Sequence, residues 1–175
     1  MPYSIRNAVP EDVPALENLL TAYMQETYRC PWGGTAQKLA QDGFGTELHL
    51  VVAEAENQQL IAFAAWQSSY DLHHCLKGGE VMDMFVESTH RGRGVAVQMM
   101  IAIATRIEQQ GGVYLRGQSV ENPSVQHLYQ RCAWHFPGVE CYVSGRAFRL
   151  LTELSGQRIR DVVRHLPEPE WNREP

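Results

Sequence analysis

The chain has little cysteine and no cysteine motif. Cys30, Cys75, Cys132 and Cys141 are scattered, and no CxxC pair occurs. A disulfide framework and a cysteine zinc site are therefore not expected, and the thiols read as reduced in a cytosolic chain. Long apolar runs are missing as well. None reaches the ~18–20 residues that a bilayer span needs. The opening MPYSIRNAVPEDVPALE has no basic segment followed by an apolar one, so no signal peptide is visible. Positive charge is in deficit. Lys and Arg number 15 against 20 Asp and Glu, a formal net charge of -5. That argues against a general nucleic-acid surface and mildly favours cationic substrates. A cytoplasmic protein with neither DNA nor membrane as partner is the expectation. Repeats, low-complexity tracts and linkers are absent too. Only LPEPEWNREP has a composition that resists packing, and residues 156–175 read as a tail, partly helical or poorly ordered.

What is present is an ordinary globular composition, 44% hydrophobic and 20% charged, over 175 residues. That length suits one α/β domain, read here as residues 1–155. YSIRNA, residues 3–8, reads as a strand. A helix follows, with Val13, Leu16, Leu19, Leu20 and Tyr23 near helical spacing, Glu11 and Asp12 at its N-terminal end and Pro14 in its first turn. Thr35 caps a second, short helix through about Asp42. Two strands, roughly 47–55 and 59–69, are joined by a turn at Glu56–Gln58. DLHHCLKGG reads as a loop. EVMDMFVES then reads as a strand carrying a buried acid, Asp83. Residues 94–110 place Ala96, Val97, Met100, Ile101, Ile103, Ala104 and Ile107 over one broad core face of a helix that Gly111 and Gly112 stop. VYLRGQSV is a strand. Asn122 and Pro123 open a further helix, and a closing hairpin turns through Ser144–Gly145. The order implies a parallel strand pair across residues 80–118 within a mixed, mostly antiparallel sheet, with helices on both faces.

One stretch bears on function: FVESTHRGRGVAVQMMIAIATRIEQQ. A helix N-terminus exposes unpaired N–H groups and carries positive partial charge. Gly92 and Gly94 lack side chains that would block close approach of an anion, and Arg91 and Arg93 add positive charge. The same glycines also suit a tight turn and nothing more. The GxxxxGK[ST] phosphate loop is absent. So is the GxGxxG dinucleotide fingerprint, since Val97 stands where its third glycine belongs. His73-His74-Cys75 does not read as a metal site, because adjacent side chains in an extended loop point apart. No metal is expected.

Arg91-Gly92-Arg93-Gly94-Val95-Ala96 matches R-x-x-G-x-G/A, after a strand and at the mouth of a long amphipathic helix. In this it resembles the GNAT superfamily of acetyl-CoA-dependent N-acetyltransferases. Downstream, ENPSVQHLYQRCAW is similar to a second GNAT pattern, with Asn122, Tyr129, Ala133 and Trp134 in its places. Ala133 stands where that pattern has glycine. The likeness in element order runs from about residue 3 to 152, and is loosely nearest to diamine and polyamine acetyltransferases.

The resemblance implies a fold with a splayed parallel strand pair, and it assigns roles. Backbone groups of Met84, Phe85 and Val86 would line the acetyl and pantetheine arm of acetyl-CoA. Arg91, Gly92, Arg93, Gly94, Val95, Ala96 and Val97 would hold its pyrophosphate. Asn122, with Ser124, would contact the pantetheine region. Tyr129 would face the thioester sulfur and protonate the departing thiolate as a general acid, while a free N–H such as that of Phe85 stabilises the oxyanion. The polyamine enzymes' glutamate before the strand aspartate is Met82 here, so that base does not carry over. Asp83 and Glu80 are the nearest acids, and Tyr70, Asp71, His73 and His74 precede them. A plain packed tyrosine at Tyr129 and a structural acid at Asp83 are the bland alternatives. The expected reaction is acetyl transfer to a primary amine, of a small molecule, by a homodimer. Acetylation of a protein amine or aminoacyl-tRNA, or acyl-CoA binding without catalysis, are the rival readings.

Overall fold

A computed structural model describes residues 3–117. The strands are β1 (Tyr3–Asn7), β2 (His49–Ala55), β3 (Leu60–Asp71), β4 (Leu76–Val86) and β5 (Tyr114–Gly117). The helices are α1 (Val13–Tyr28), α2 (Ala36–Asp42) and α3 (Val95–Gln109). One sheet holds the strands in the order β1-β2-β3-β4-β5. The first three pairs are antiparallel, and β4–β5 is parallel. The expected strand continuing past Gly117, the helix at Asn122 and the hairpin at Ser144–Gly145 lie outside the described residues.

The sheet is covered on both faces, which is why β3 is buried without interruption from Leu60 to Trp66. On one face Leu16, Leu19 and Tyr23 of α1 pack with Val52, Leu60, Phe63 and Phe85. On the other, Val95, Met99, Ile103 and Ile107 of α3 pack with Val51, Ile61, Ala64 and Trp66. The α3 stripe thus has strict i, i+4 spacing and is narrower than the sequence implied. Val97 and Ile101, expected in the core, are exposed, Ile101 at 60%. A helix laid on a sheet buries one row of side chains, and each such burial is worth about 1.5–3 kcal/mol.

The caps follow the residue types. Thr35 Oγ accepts the Lys38 N–H at 3.1 Å and starts α2. Gly111, with φ of 78°, and Gly112 close α3; the Gly112 N–H returns to Ile107 O at 2.8 Å. Asp12 does more than favour a helix end. It is buried, accepts two bonds from Arg6 at 2.6 and 2.9 Å, and accepts the Val9 N–H at 2.9 Å.

Residues 71–79, expected as a loop, are mostly strand. Only Leu72–Cys75 forms the turn, and Leu76 and Lys77 pair with Asp71 and Tyr70. The glycines there are packing glycines. A Cβ on Gly78 would lie 2.5 Å from the Tyr114 ring, and one on Gly79 would lie 2.3 Å from the Ile107 side chain.

Candidate active site

After β4 the chain makes one short helical turn, Ser88–His90, and then enters α3. The His90 N–H bonds Glu87 O at 2.9 Å, and the Arg91 N–H bonds Ser88 O at 3.3 Å. The first bond of α3 runs from Gln98 N–H to Gly94 O at 3.0 Å. Between these, from Gly92 to Val97, no backbone N–H has an acceptor among the described residues. Gly92 and Gly94 take φ of 72° and 80°. That region costs an L-residue about 1–2 kcal/mol. Such residues turn successive N–H groups toward one concave side, a shape that receives anions. A Cβ on Gly92 would meet nothing within 4 Å, so the backbone angle, and not crowding, calls for glycine there. The N-terminal partial charge of α3 adds to the same place.

The two arginines of the loop have different roles. Arg91 forks onto Glu26 of α1 and bonds Val86 O at 2.7 Å. Arg93 is exposed and has no ion-pair partner among the described residues.

Among the described residues the ladder between β4 and β5 covers Gly78–Val81 against Tyr114–Gly117, and β4 itself runs on to Val86. The ladder with β3 fixes which groups of that extension face β5's side. The Glu87 N–H bonds Ile61 O at 2.9 Å. In an antiparallel ladder the bonded residues alternate. Phe85 and Asp83 therefore direct their N–H groups to β3, and Met84 and Val86 direct theirs away from it. The direction of Val86 O, which accepts from Arg91, agrees. Phe85 thus spends its N–H toward β3, whereas Met84 and Val86 direct theirs away from it and have no acceptor among the described residues.

β4 also carries a bulge. Ala65 pairs with Asp83 but Trp66 pairs with Val81, which leaves Met82 outside the register and exposed at 42%. The extra residue inverts the alternation. Val81 faces the α3 cluster, whereas Asp83, two residues on, faces α1, where it accepts the Tyr23 O–H at 2.6 Å. Asp83 is half-buried, less covered than expected. Tyr23 is buried against Phe63 and Phe85, and its O–H lies 3.4 Å from that of Tyr28. Burial, then the Asp83 carboxylate, push the Tyr23 phenol far above its ordinary value, so it stays a donor.

The remaining candidate acids and bases are elsewhere. Glu80 pairs with Arg116 at 2.7 Å. Asp71 pairs with His74 at 2.7 Å, and that bond holds its carboxyl below the usual range. These turn residues lie at the far end of β4, about 30 Å of extended chain from the glycine loop. A cleft of about 410 Å³ lined by Ser68, Tyr70, Lys77, Ile107 and Gln110 lies at the C-terminal end of α3. It is roughly 20 Å along that helix from the loop. Trp66 is core, 1% exposed and stacked on His49. Asn122, Ser124 and Tyr129 lie outside the described residues. Among the described residues no three His, Cys, Asp or Glu side chains gather to hold a metal, and no helix is long and apolar enough to cross a membrane.

Residues 13–134 match the acetyltransferase (GNAT) family. The chain belongs to that family. Members of the GNAT family use acetyl-CoA as cosubstrate. No curated protein matches the chain. Solved structures share the GNAT fold with it. A ribosomal-protein-alanine N-acetyltransferase from Brucella melitensis biovar Abortus 2308 is 21% identical, with a TM-score of 0.64 over 82% of this chain and 99% of that one. An integron cassette protein of V. cholerae is 17% identical, with a TM-score of 0.72 over 87% and 99%. An aminoglycoside 6'-N-acetyltransferase from Acinetobacter baumannii is 14% identical, with a TM-score of 0.62 over 82% and 98%. Sequence reasoning missed Tyr23 as the partner of Asp83 and Glu26 as the partner of Arg91. Tyr23 registered only as a residue on a helical face, and Glu26 carried no signal at all.

Proposed function

We propose that this chain transfers an acetyl group from acetyl-CoA to a primary amine carried by a small molecule. The observation that supports it most is the run of N–H groups from Gly92 to Val97 with no acceptor among the described residues, which spans the residues that match the family signature. Such a run fits a pyrophosphate. The donors are consecutive in the chain, two of the residues have no side chain in the way, the helix end is positive, and Arg93 stands beside them. Bound there, acetyl-CoA supplies the acetyl group as a thioester.

The chain's own groups then have defined tasks. The N–H groups of Met84 and Val86, directed away from β3, line the acetyl arm, and one of them bonds the oxyanion. Phe85 contributes its ring to the wall. Asn122 and Ser124 hold the pantetheine region. Tyr129 gives its phenolic proton to the departing sulfur. Asp83, fixed by Tyr23, lies on the α1 face of β4 and takes the amine's proton through water. Residues 1–155 act as one domain, in a cytoplasmic homodimer that needs no metal, DNA or membrane.

Calorimetry of acetyl-CoA on Gly94→Glu tests the placement. Gly94 is open on its outer side: a Cβ there would have only Gln98 Nε2 nearby, at 3.9 Å. A glutamate at this position brings negative charge and bulk to the N–H run, and affinity is expected to fall more than about tenfold, or 1.4 kcal/mol. Unchanged affinity in a folded variant would remove the loop from the binding site.

A further inference from the structure

Arg91 opens the signature, and its charge invites assignment to the anion. Its geometry points elsewhere. The guanidinium meets Glu26 with both terminal nitrogens, Nη1–Oε1 at 2.6 Å and Nη2–Oε2 at 2.8 Å. Its Nε donates to Val86 O at 2.7 Å. Its Cζ lies 5.4 Å from the centroid of the Phe85 ring. The fork is spent on the protein, and Glu26 balances its charge. Glu26 sits one helical turn after Tyr23, which bonds Asp83. α1 is therefore fastened to β4 before the loop and to the loop's first residue.

We infer that Glu26 is a positioning residue: it holds Arg91, and through Arg91 the entry to the Gly92–Val97 run, in the shape that receives a phosphate anion. This rests on reading that run as the acetyl-CoA site. Exposed ion pairs ordinarily contribute little. This one has two-point geometry and a third bond to a carbonyl, which fix the arginine in a single pose. Gly92, the next residue, has no side chain, and its surroundings are open within 4 Å, so nothing at Gly92 itself restrains the loop. N–H groups bind an anion well only while they converge, and Arg91 supplies the nearest anchor. Arg93 is left as the loop's cation for the ligand.

Calorimetry with coenzyme A on Glu26→Gln, Arg91→Gln, Arg91→Lys and the Glu26→Gln/Arg91→Gln double variant tests this, with melting temperatures confirming the fold. Each single variant is expected to lose about tenfold in affinity, the size of a modest misplacement of binding groups. The double variant is expected to be no worse than either single one, because both remove the same restraint. Arg91→Lys is expected to fail like Arg91→Gln, since it keeps the charge and loses the fork. The opposite role predicts opposite signs. If Arg91 touched the phosphate, Glu26→Gln would free it and tighten binding, and Arg91→Lys would keep much of the affinity. Either result overturns the inference, as does unchanged affinity in folded Glu26→Gln. If Arg91→Gln does not fold, Glu26→Gln and Arg91→Lys decide alone. Gly94→Glu, run alongside, separates the two levels. Unchanged affinity there defeats the anion site itself. Loss there with none in Glu26→Gln defeats only the positioning role.

Discussion

Tyr129→Phe removes one hydroxyl and leaves a ring to pack. If Tyr129 protonates the departing thiolate, turnover falls about 10²–10⁴-fold, the range for a positioned acid. Coenzyme A affinity is expected to change little, because the proposed pyrophosphate contacts, Gly92 to Val97, lie in another segment of the chain. A packed tyrosine predicts a lower melting temperature with near-normal single-turnover rate, and that result would take Tyr129 out of the mechanism. At this scale the sequence disclosed backbone and concealed side chains. Gly92 and Gly94 were legible because only glycine adopts positive φ without cost. The direction of Arg91 was not legible, since it depends on Glu26, 65 residues earlier in the chain. Nor was the donor facing away from β3. The choice of Met84 and Val86 over Phe85 follows from a register that no local pattern encodes.

Elements are joined here by charge as well as by apolar packing. Arg6 of β1 bonds Asp12 at the entry to α1 and Glu54 of β2. The Arg6 hydrogen bonds hold the Asp12 carboxyl below its ordinary value, and burial opposes them. A carboxyl depressed by folding stabilises the protein above its unfolded pKa of about 3.9, and that contribution is lost as pH falls through the lower folded value. Asp12→Asn is expected to cost about 1–3 kcal/mol at neutral pH. It is also expected to flatten the acid limb of melting temperature between about pH 5 and 2. Equal melting temperatures at neutral pH would show that the carboxylate contributes nothing net. Helices α1 and α2, the hairpin at Glu56–Gln58 and the parallel pair were legible from periodicity, caps and spacing. The length of β3 and β4 was not, because Gly78 and Gly79 look like loop residues until Tyr114 and Ile107 are seen against them. The Met82 bulge was equally hidden. Its effect, turning Asp83 toward α1, exists only when β3 is alongside.

The molecule as a whole was the most legible level. Strand and helix order, together with one loop in its structural context, pointed to a mixed sheet with helices on both faces and to the GNAT family, as found. The acceptor was least legible, since no motif names it and a formal net charge of -5 indicates at most a mild preference for cations. The central proposal is that the chain moves an acetyl group onto a primary amine. Incubating the protein with acetyl-CoA and a library of amines, while reading free thiol and the mass of each amine, tests that. Thiol release is expected to require both enzyme and a particular small primary amine, with that amine acetylated, and both signals are expected to fall at least about tenfold in Gly94→Glu at acetyl-CoA well below saturation. Tight binding of acetyl-CoA with no amine acetylated anywhere in the library would contradict acetyl transfer and leave an acyl-CoA-binding protein.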